Sequence, residues 1–115
     1  MSEDCLFCKI IDKEIPADIV YEDDQMIAFK DINPKSPVHL LFIPKKHIAN
    51  LNDVSDEDAS LIGRILVKIK DLAGESDVAE KGYRVVINCN QDAGQEVFHI
   101  HVHLLGGRKF EWPPG

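Results

Sequence analysis

Apolar and polar residues alternate in short blocks along the first half of the chain, and each block predicts one element. Apolar residues at helical spacing predict a helix over residues 5–15, which Pro16 ends because proline lacks the amide hydrogen that a helix uses. Two shorter apolar blocks, at 19–21 and 26–29, flank an acidic turn and predict a pair of strands. A third strand is predicted over 39–43.

The second half of the chain predicts a longer helix and two more strands. Ser55 and the acidic residues after it form a good helix start, because a capping oxygen and negative charge stabilise a helix N-terminus. Gly74 is expected to end this helix. Strands are predicted over 83–88 and 99–105, and the tail 106–115 is expected to be irregular. The order of elements predicts an α+β domain with an antiparallel sheet.

The composition fits a single domain, residues 1–115, with neither a membrane nor a nucleic acid as partner. A chain of 115 residues with 44% hydrophobic content is long enough for one core. Its net charge of −7 repels a phosphate backbone, whereas a phosphorylated small molecule requires only a locally positive site. The sequence has no visible secretory signal, no apolar run of about 18 residues, and an odd number of cysteines. We therefore expect a cytoplasmic protein.

Three histidines alternate with apolar residues near the end of the chain. Side chains in a strand alternate between faces, so His99, His101 and His103 share one face while Ile100 and Val102 share the other. Incidental histidines are one interpretation, and a metal site is a second. The third is phosphoryl chemistry, because imidazole is a nucleophile near neutral pH and a protonated neighbour stabilises phosphate charge. Three histidines on one face of a strand favour a functional role over incidental histidines.

A small polar loop, residues 92–96, leads directly into the histidine segment. Gly94 allows the backbone to approach a ligand, and consecutive amides there can contact an oxyanion. This placement favours phosphoryl chemistry over the other two interpretations.

A pair of cysteines near the N-terminus has the spacing of half a zinc site. Cys5 and Cys8 stand three positions apart, as in a Cys-x-x-Cys motif. Two buried thiols one helical turn apart and a redox pair are the alternatives. Zinc requires two further ligands, and His47 is a candidate, although it is equally an exposed loop histidine.

The segment from His99 to Leu105 matches, at every position, the signature His-φ-His-φ-His-φ-φ, in which φ is apolar, and the chain closely resembles the histidine-triad (HIT) family. Residues 29–34 and 37–39 look like the nucleotide-side segment of that family. Residues 106–108 and 112–115 look like the tail of its Hint branch. The resemblance implies a five-stranded antiparallel sheet with one long and one short helix, and a homodimer that joins two sheets into one.

The resemblance to the Hint branch also implies an activity. It implies a purine nucleoside phosphoramidase that cleaves a P–N bond through a covalent nucleotidyl-histidine and releases AMP or GMP. A dinucleoside polyphosphate hydrolase is the near alternative, against which the Hint-type tail speaks. A non-catalytic nucleotide-binding regulator is the alternative from another class.

The residues carried over from the family fall into a catalytic group and a nucleotide-binding group. The resemblance implies that His101 is the nucleophile, that His103 contacts the phosphate, and that His39 hydrogen-bonds within the histidine cluster. Asp31 matches the residue that holds the ribose hydroxyls, and Ile32 lies beside the base. The remaining nucleotide contacts implied are Phe7 and Leu41 in the base pocket, and Asn88, Gln95, Glu96 and Val97 near the ribose and phosphate.

The family also implies one structural zinc ion per chain. Its ligands here are Cys5, Cys8, His47 and His99, and the scheme requires no catalytic metal. Glu96 is a departure, since eukaryotic Hint proteins carry serine at this position, whereas bacterial members resemble this sequence. A carboxylate repels phosphate, so we expect the backbone amide of Glu96 to make the contact.

Overall fold

The computed structural model describes residues 4–115 and confirms the α+β fold with a five-stranded antiparallel sheet. The strand order is β1-β2-β3-β5-β4, so β1 and β4 are the edges. A short 3-10 turn at Asp56–Asp58 leads into the long helix. In chain order the helices and strands are α1 (Leu6–Ile11), β1 (Ile19–Glu22), β2 (Met26–Lys30), β3 (Val38–Pro44), α2 (Ala59–Glu75), β4 (Tyr83–Val86) and β5 (Val102–Gly106).

A helix covers each face of the sheet. The apolar side of α2, which includes Ile65, Ile69 and Leu72, packs on one face. On the other face, α1 packs through Phe7 and Ile10. Because side chains alternate along a strand, the residues of β2 and β3 divide between two cores. The strand residues in the first core are Met26, Ala28, Leu40, Phe42, Val102 and Leu104, and those in the second are Ile27, Phe29, Leu41 and Ile43.

The first helix is shorter than the sequence predicts. It ends at Ile11, because Asp12 caps it and Lys13 adopts a φ of 64°, which a right-handed helix excludes. Ile15, the one apolar residue between this turn and Pro16, lies in a bend. The fourth strand likewise ends at Val86, two residues before its predicted end.

The fifth strand begins later than predicted, at Val102 and not at His99. Before it, the Ile100 amide donates to the Ile48 carbonyl, and a His99 ring nitrogen lies 2.8 Å from the Pro44 carbonyl oxygen. The first two triad histidines therefore lie in an irregular lead-in to β5, residues 97–101, which hydrogen-bonds to the segment after β3. Only His103 lies in the sheet ladder. Within residues 4–115, no helix has the length and apolarity needed to cross a bilayer.

Candidate active site and metal centre

A cavity of about 660 Å³ opens on the α1 side of the sheet. Elements α1, β2, β3 and β5 contribute to its walls, together with the loops before β3 and before β5. It brings together residues that are far apart in the sequence. The predicted site residues that line it are Phe7, Asp31, Ile32, His39, Leu41, Asn88, Glu96, Val97, His101 and His103.

The side chain of His101 is buried in the wall of this cavity. Its Nδ1 lies 2.9 Å from the His99 carbonyl oxygen. A carbonyl oxygen only accepts hydrogen bonds, so Nδ1 carries the proton and Nε2 keeps its lone pair. The Phe7 ring packs nearly perpendicular to the imidazole, with ring centroids 5.0 Å apart. His101 therefore presents a basic nitrogen in a ring whose orientation is fixed.

His39 and His103 form a second pair of rings beside it. The Lys35 amide donates to His39 Nδ1 over 3.0 Å, so Nδ1 holds the lone pair and Nε2 carries the proton. His39 Nε2 lies 2.9 Å from His103 Nδ1 and 3.4 Å from a carboxylate oxygen of Asp31. Since His39 donates to His103 Nδ1, the proton of a neutral His103 is on Nε2. That buried Nε2 has no partner within residues 4–115.

Both rings of this pair favour the neutral state. Burial lowers the pKa of His39 below its usual value, although the Asp31 carboxylate opposes the shift. Burial, with smaller contributions from His101 and His39, lowers the pKa of His103 to about 4. At neutral pH, His103 is therefore a neutral ring whose buried Nε2–H has no partner within residues 4–115.

Gln95 does not line the cavity, although the family resemblance places it near the nucleotide. Its side chain is buried, and its Oε1 accepts a hydrogen bond from the Asn90 amide. Its Nε2 donates to the carbonyl oxygens of Ala49 and Val97. Gln95 thus braces the loop, while its neighbour Glu96 is exposed at the cavity.

Several apolar cavity residues were missed in the sequence. Ile10 and Ile15 line the cavity on the side of α1, and Leu105 lines it on the side of β5. The signals were present: Ile10 stands one helical turn after Phe7, and Leu105 stands two positions after His103 and so shares its face. Ile15 carried no such signal, because it follows the end of α1.

A second cluster brings together the four predicted zinc ligands. His99 Nδ1 lies 3.4 Å from Cys5 Sγ and 3.5 Å from Cys8 Sγ. His47 Nδ1 lies 3.4 Å from Cys8 Sγ and 3.1 Å from His99 Nδ1. Zinc bonds of about 2.3 Å to sulfur and about 2.0 Å to nitrogen give tetrahedral edges of about 3.3–3.8 Å. All four distances lie on or near that range.

The chemistry of these four groups also fits a cation. His99 Nε2 donates to the Pro44 carbonyl, so the His99 lone pair is on Nδ1, facing the cluster. Burial, and then the neighbouring Cys5, raises the pKa of the Cys8 thiol to about 11. A bound cation favours the thiolate, because its charge compensates for that burial. The donor set therefore fits zinc, and Cys5, Cys8, His47 and His99 would hold it.

Comparisons with known proteins agree on one family. Residues 4–111 match the family model described as scavenger mRNA decapping enzyme C-term binding. The chain is 50% identical to the purine nucleoside phosphoramidase of Escherichia coli K12, over 94% of this chain and 91% of that protein.

Solved structures show the same likeness. A HIT family hydrolase from Legionella pneumophila superposes with a TM-score of 0.96 at 57% identity, covering 97% of this chain and all (100%) of that one. A zinc-bound histidine-triad family protein from Mycobacterium smegmatis gives a TM-score of 0.80 at 34% identity, covering 94% and 78% respectively. Together the comparisons support a hydrolase of the Hint type.

Proposed function

This chain belongs to the histidine-triad family, and from that premise we propose that it is a purine nucleoside phosphoramidase. It would cleave the P–N bond of a nucleoside 5′-phosphoramidate and release AMP or GMP. The name and 50% identity of the Escherichia coli relative support this choice among hydrolases. The observation that carries the chemistry is the ring of His101, whose Nδ1–H is held by a carbonyl while Nε2 is left unprotonated.

The reaction proceeds in two displacements at phosphorus. His101 Nε2 attacks the phosphorus, the P–N bond to the amine breaks, and the amine leaves with a proton taken from solvent water. The neutral His103 Nε2–H donates a hydrogen bond to the phosphate oxygen and keeps its proton. Water then attacks the nucleotidyl-histidine and gives up a proton to solvent, the bond from phosphorus to His101 breaks, and the monophosphate is released. Imidazole is a good leaving group here because His103 and nearby amides stabilise the phosphate charge.

The remaining cavity residues suit a nucleoside. Phe7 and Leu41 provide a buried apolar wall for the base, and Ile32 is an exposed apolar side chain beside it. One Asp31 oxygen accepts a hydrogen bond from the Asn33 amide, and a carboxylate has enough lone pairs to accept ribose hydroxyls as well. We propose that Asn88, Val97 and the Glu96 amide bind the ribose and phosphate, with Gln95 supporting the loop.

Zinc has a structural role in this proposal. When bound, the ion would neutralise the thiolates of Cys5 and Cys8 and link α1 to the histidine lead-in. Phe7, between the two cysteines, forms T-shaped ring pairs with both His99 and His101. The site would thereby fix one wall of the base pocket without taking part in a chemical step.

We also propose a homodimer in a reducing, cytoplasmic compartment. Strand β4 is an edge of the sheet with Val85 exposed, and Leu66 and Val67 are exposed on α2. An exposed edge and apolar side chains favour pairing with a second copy. All three cysteines are free thiols. Sedimentation equilibrium should give twice the chain mass, and a monomer at micromolar concentration would contradict this part.

Rapid quenching during turnover tests the proposed function directly. Protein mixed with an adenosine phosphoramidate should carry an adenylyl adduct on the peptide containing His101, detected by mass spectrometry. The His101→Ala variant should carry none, and a Cys89→Ser variant, altered outside both the cavity and the four-ligand cluster, should retain it. Turnover with no adduct in any variant would contradict the covalent mechanism.

A substrate panel separates the proposal from its alternatives. We expect adenosine and guanosine phosphoramidates to be cleaved faster than acyl adenylates, dinucleoside polyphosphates or a methylated cap dinucleotide. Fastest cleavage of a dinucleoside polyphosphate would support the polyphosphate hydrolase instead. Tight nucleotide binding without turnover of any substrate would indicate the non-catalytic regulator.

A further inference from the structure

The turn that follows β5 contacts the loop that precedes β3. Gly107 has a φ of 93°, and a Cβ added there would lie 2.9 Å from Pro37 Cβ, so a side chain does not fit. This close approach places Arg108 against the loop, and its Nε donates to the Lys35 carbonyl over 3.1 Å. The beginning of the tail is therefore attached to a loop that borders the cavity.

The attached loop controls the proton of His39. The Lys35 amide donates to His39 Nδ1, and His39 Nε2–H in turn donates to His103 Nδ1. A shift of the Lys35 backbone would weaken the first bond and release both rings to exchange tautomers. The hydrogen bond from Arg108 limits such a shift because it holds the same residue from the other side.

Arg108 itself is oriented by several contacts. Its Nη1 donates to the Lys109 carbonyl, and its guanidinium lies 4.3 Å from the centre of the Phe110 ring. Within residues 4–115 it forms no ion pair, so its described hydrogen bonds go only to backbone carbonyls. This pattern is that of a group that positions backbone and not that of a surface charge paired for solubility.

We propose that Arg108 is a positioning residue for His103. Acting through Lys35 and His39, it keeps the proton of His103 on Nε2. The effect of Arg108 on catalysis rests on the proposed function, whereas its effect on the protonation of the His39 and His103 rings does not.

The same network discourages a metal ion from binding inside the cavity. Asp31, His39 and His103 offer ligand atoms within 4.8 Å of one another, close enough for a cation. A metal at His39 Nε2 would push the ring proton to Nδ1, where it would face the Lys35 N–H. The Nδ1–H and the Lys35 N–H would then point at each other with no acceptor between them. The Lys35 amide therefore favours a proton, and not a metal, on His39 Nε2.

Nitrogen-15 spectra of the histidine rings test the proposal without any substrate. At pH 7.5 the wild type should show His39 and His103 with the proton on Nε2. In Arg108→Ala the ratio of the two His103 tautomers should shift toward Nδ1–H by about three- to tenfold, as expected for the loss of one hydrogen bond. Arg108→Lys should restore part of that shift, and Lys109→Ala, which keeps the backbone carbonyl, should show none. Identical His39 and His103 spectra in wild type and Arg108→Ala would overturn the proposal.

Kinetics then separate positioning from a general loss of structure. Arg108→Ala should lower kcat for an adenosine phosphoramidate by about three- to tenfold with little change in KM. In a His39→Ala background, the same substitution should have no further effect, because its route to His103 has been removed. Additive losses in the double variant would overturn the proposal. A wild type that cleaves no phosphoramidate would refute the proposed function but leave the ring spectra as the test of Arg108.

Discussion

The proposed metal cluster and the proposed catalytic cluster each combine histidines of residues 99–103 with a histidine in or just after β3, yet different backbone groups hydrogen-bond to their rings. The Pro44 carbonyl accepts a hydrogen bond from His99 Nε2, which keeps the proton there. The Nδ1 lone pair of His99 therefore faces two cysteines and a histidine. The Lys35 amide donates a hydrogen bond to His39 Nδ1, so the ring proton is on Nε2 and that nitrogen is a donor. When a backbone carbonyl accepts from one ring nitrogen, the other nitrogen keeps its lone pair and can act as a ligand or a nucleophile. When a backbone amide donates to one ring nitrogen, the other nitrogen carries the proton and acts as a hydrogen-bond donor.

His101 shows that the rule extends to the proposed nucleophile. Its Nδ1 is held by the His99 carbonyl, so the proposed metal ligand also orients the proposed nucleophile. The two clusters are therefore coupled through one peptide group. Loss of a metal ligand should slow the reaction because it shifts the position of His101. Loss of a catalytic histidine should leave the metal bound.

The largest expected effect is the loss of the nucleophile. His101→Ala should lower kcat by on the order of 10⁴-fold or more, because no other described side chain takes over the attack. Its zinc content and melting temperature should stay near those of the wild type. Steady-state kinetics with metal analysis checks both, and kcat within tenfold of the wild type would remove His101 from its role.

Loss of a metal ligand should instead change the zinc content and the stability of the protein. Cys8→Ser should abolish stoichiometric zinc and lower the free energy of unfolding by about 4 kcal/mol when zinc is present at a thousand times its Kd. Metal analysis and urea unfolding measure these quantities. Chelation of the wild type should reproduce the change, and Cys89→Ser should serve as the control because Cys89 lies outside the four-ligand cluster. Unchanged stability on chelation would contradict a structural metal.

Removal of the neutral donor should have an intermediate effect on catalysis. His103→Ala should lower kcat by about a hundredfold, within the range for one hydrogen-bond donor to the developing phosphate charge. His103→Gln retains an N–H and should recover part of that loss. Single-turnover measurements of adduct formation show which step is slowed, and full activity in His103→Ala would exclude its role.

The smallest expected effect is on the pH dependence of stability. Burial lowers the pKa of His103 from its usual 6.5 to about 4, so the unfolded chain takes up this proton first as the pH falls. His103 therefore destabilises the fold progressively between pH 6.5 and pH 4. Urea unfolding of His103→Gln should show a shallower decline over that interval than the wild type. An identical slope in the two proteins would contradict the assignment.

The sequence predicted the parts of this site that depend on periodicity. The alternation of residues 99–105 put three imidazoles on one side, and the structure places His101 and His103 in one cavity. Spacing alone gave Cys5 and Cys8 as half a metal site, and the family resemblance supplied the other ligands. The structure brings all four together.

Other features depend on backbone contacts that no local pattern encodes. The start of β5 at Val102 follows from a hydrogen bond between Ile100 and Ile48, more than fifty positions away. The inward turn of Gln95 follows from carbonyl groups of its own loop and of Ala49. The bond from Arg108 to Lys35 requires the sheet to bring β5 beside β3. Such contacts arise only once the chain has folded.

One measurement tests the central claim, that backbone partners assign the histidines to different roles. Long-range proton–nitrogen-15 correlation spectra of the zinc-loaded wild type report the protonated nitrogen of each ring. We expect the proton on Nδ1 for His101 and on Nε2 for His39, His99 and His103, with His99 Nδ1 bound to the metal. A His101 ring protonated on Nε2, or a His39 ring protonated on Nδ1, would contradict it.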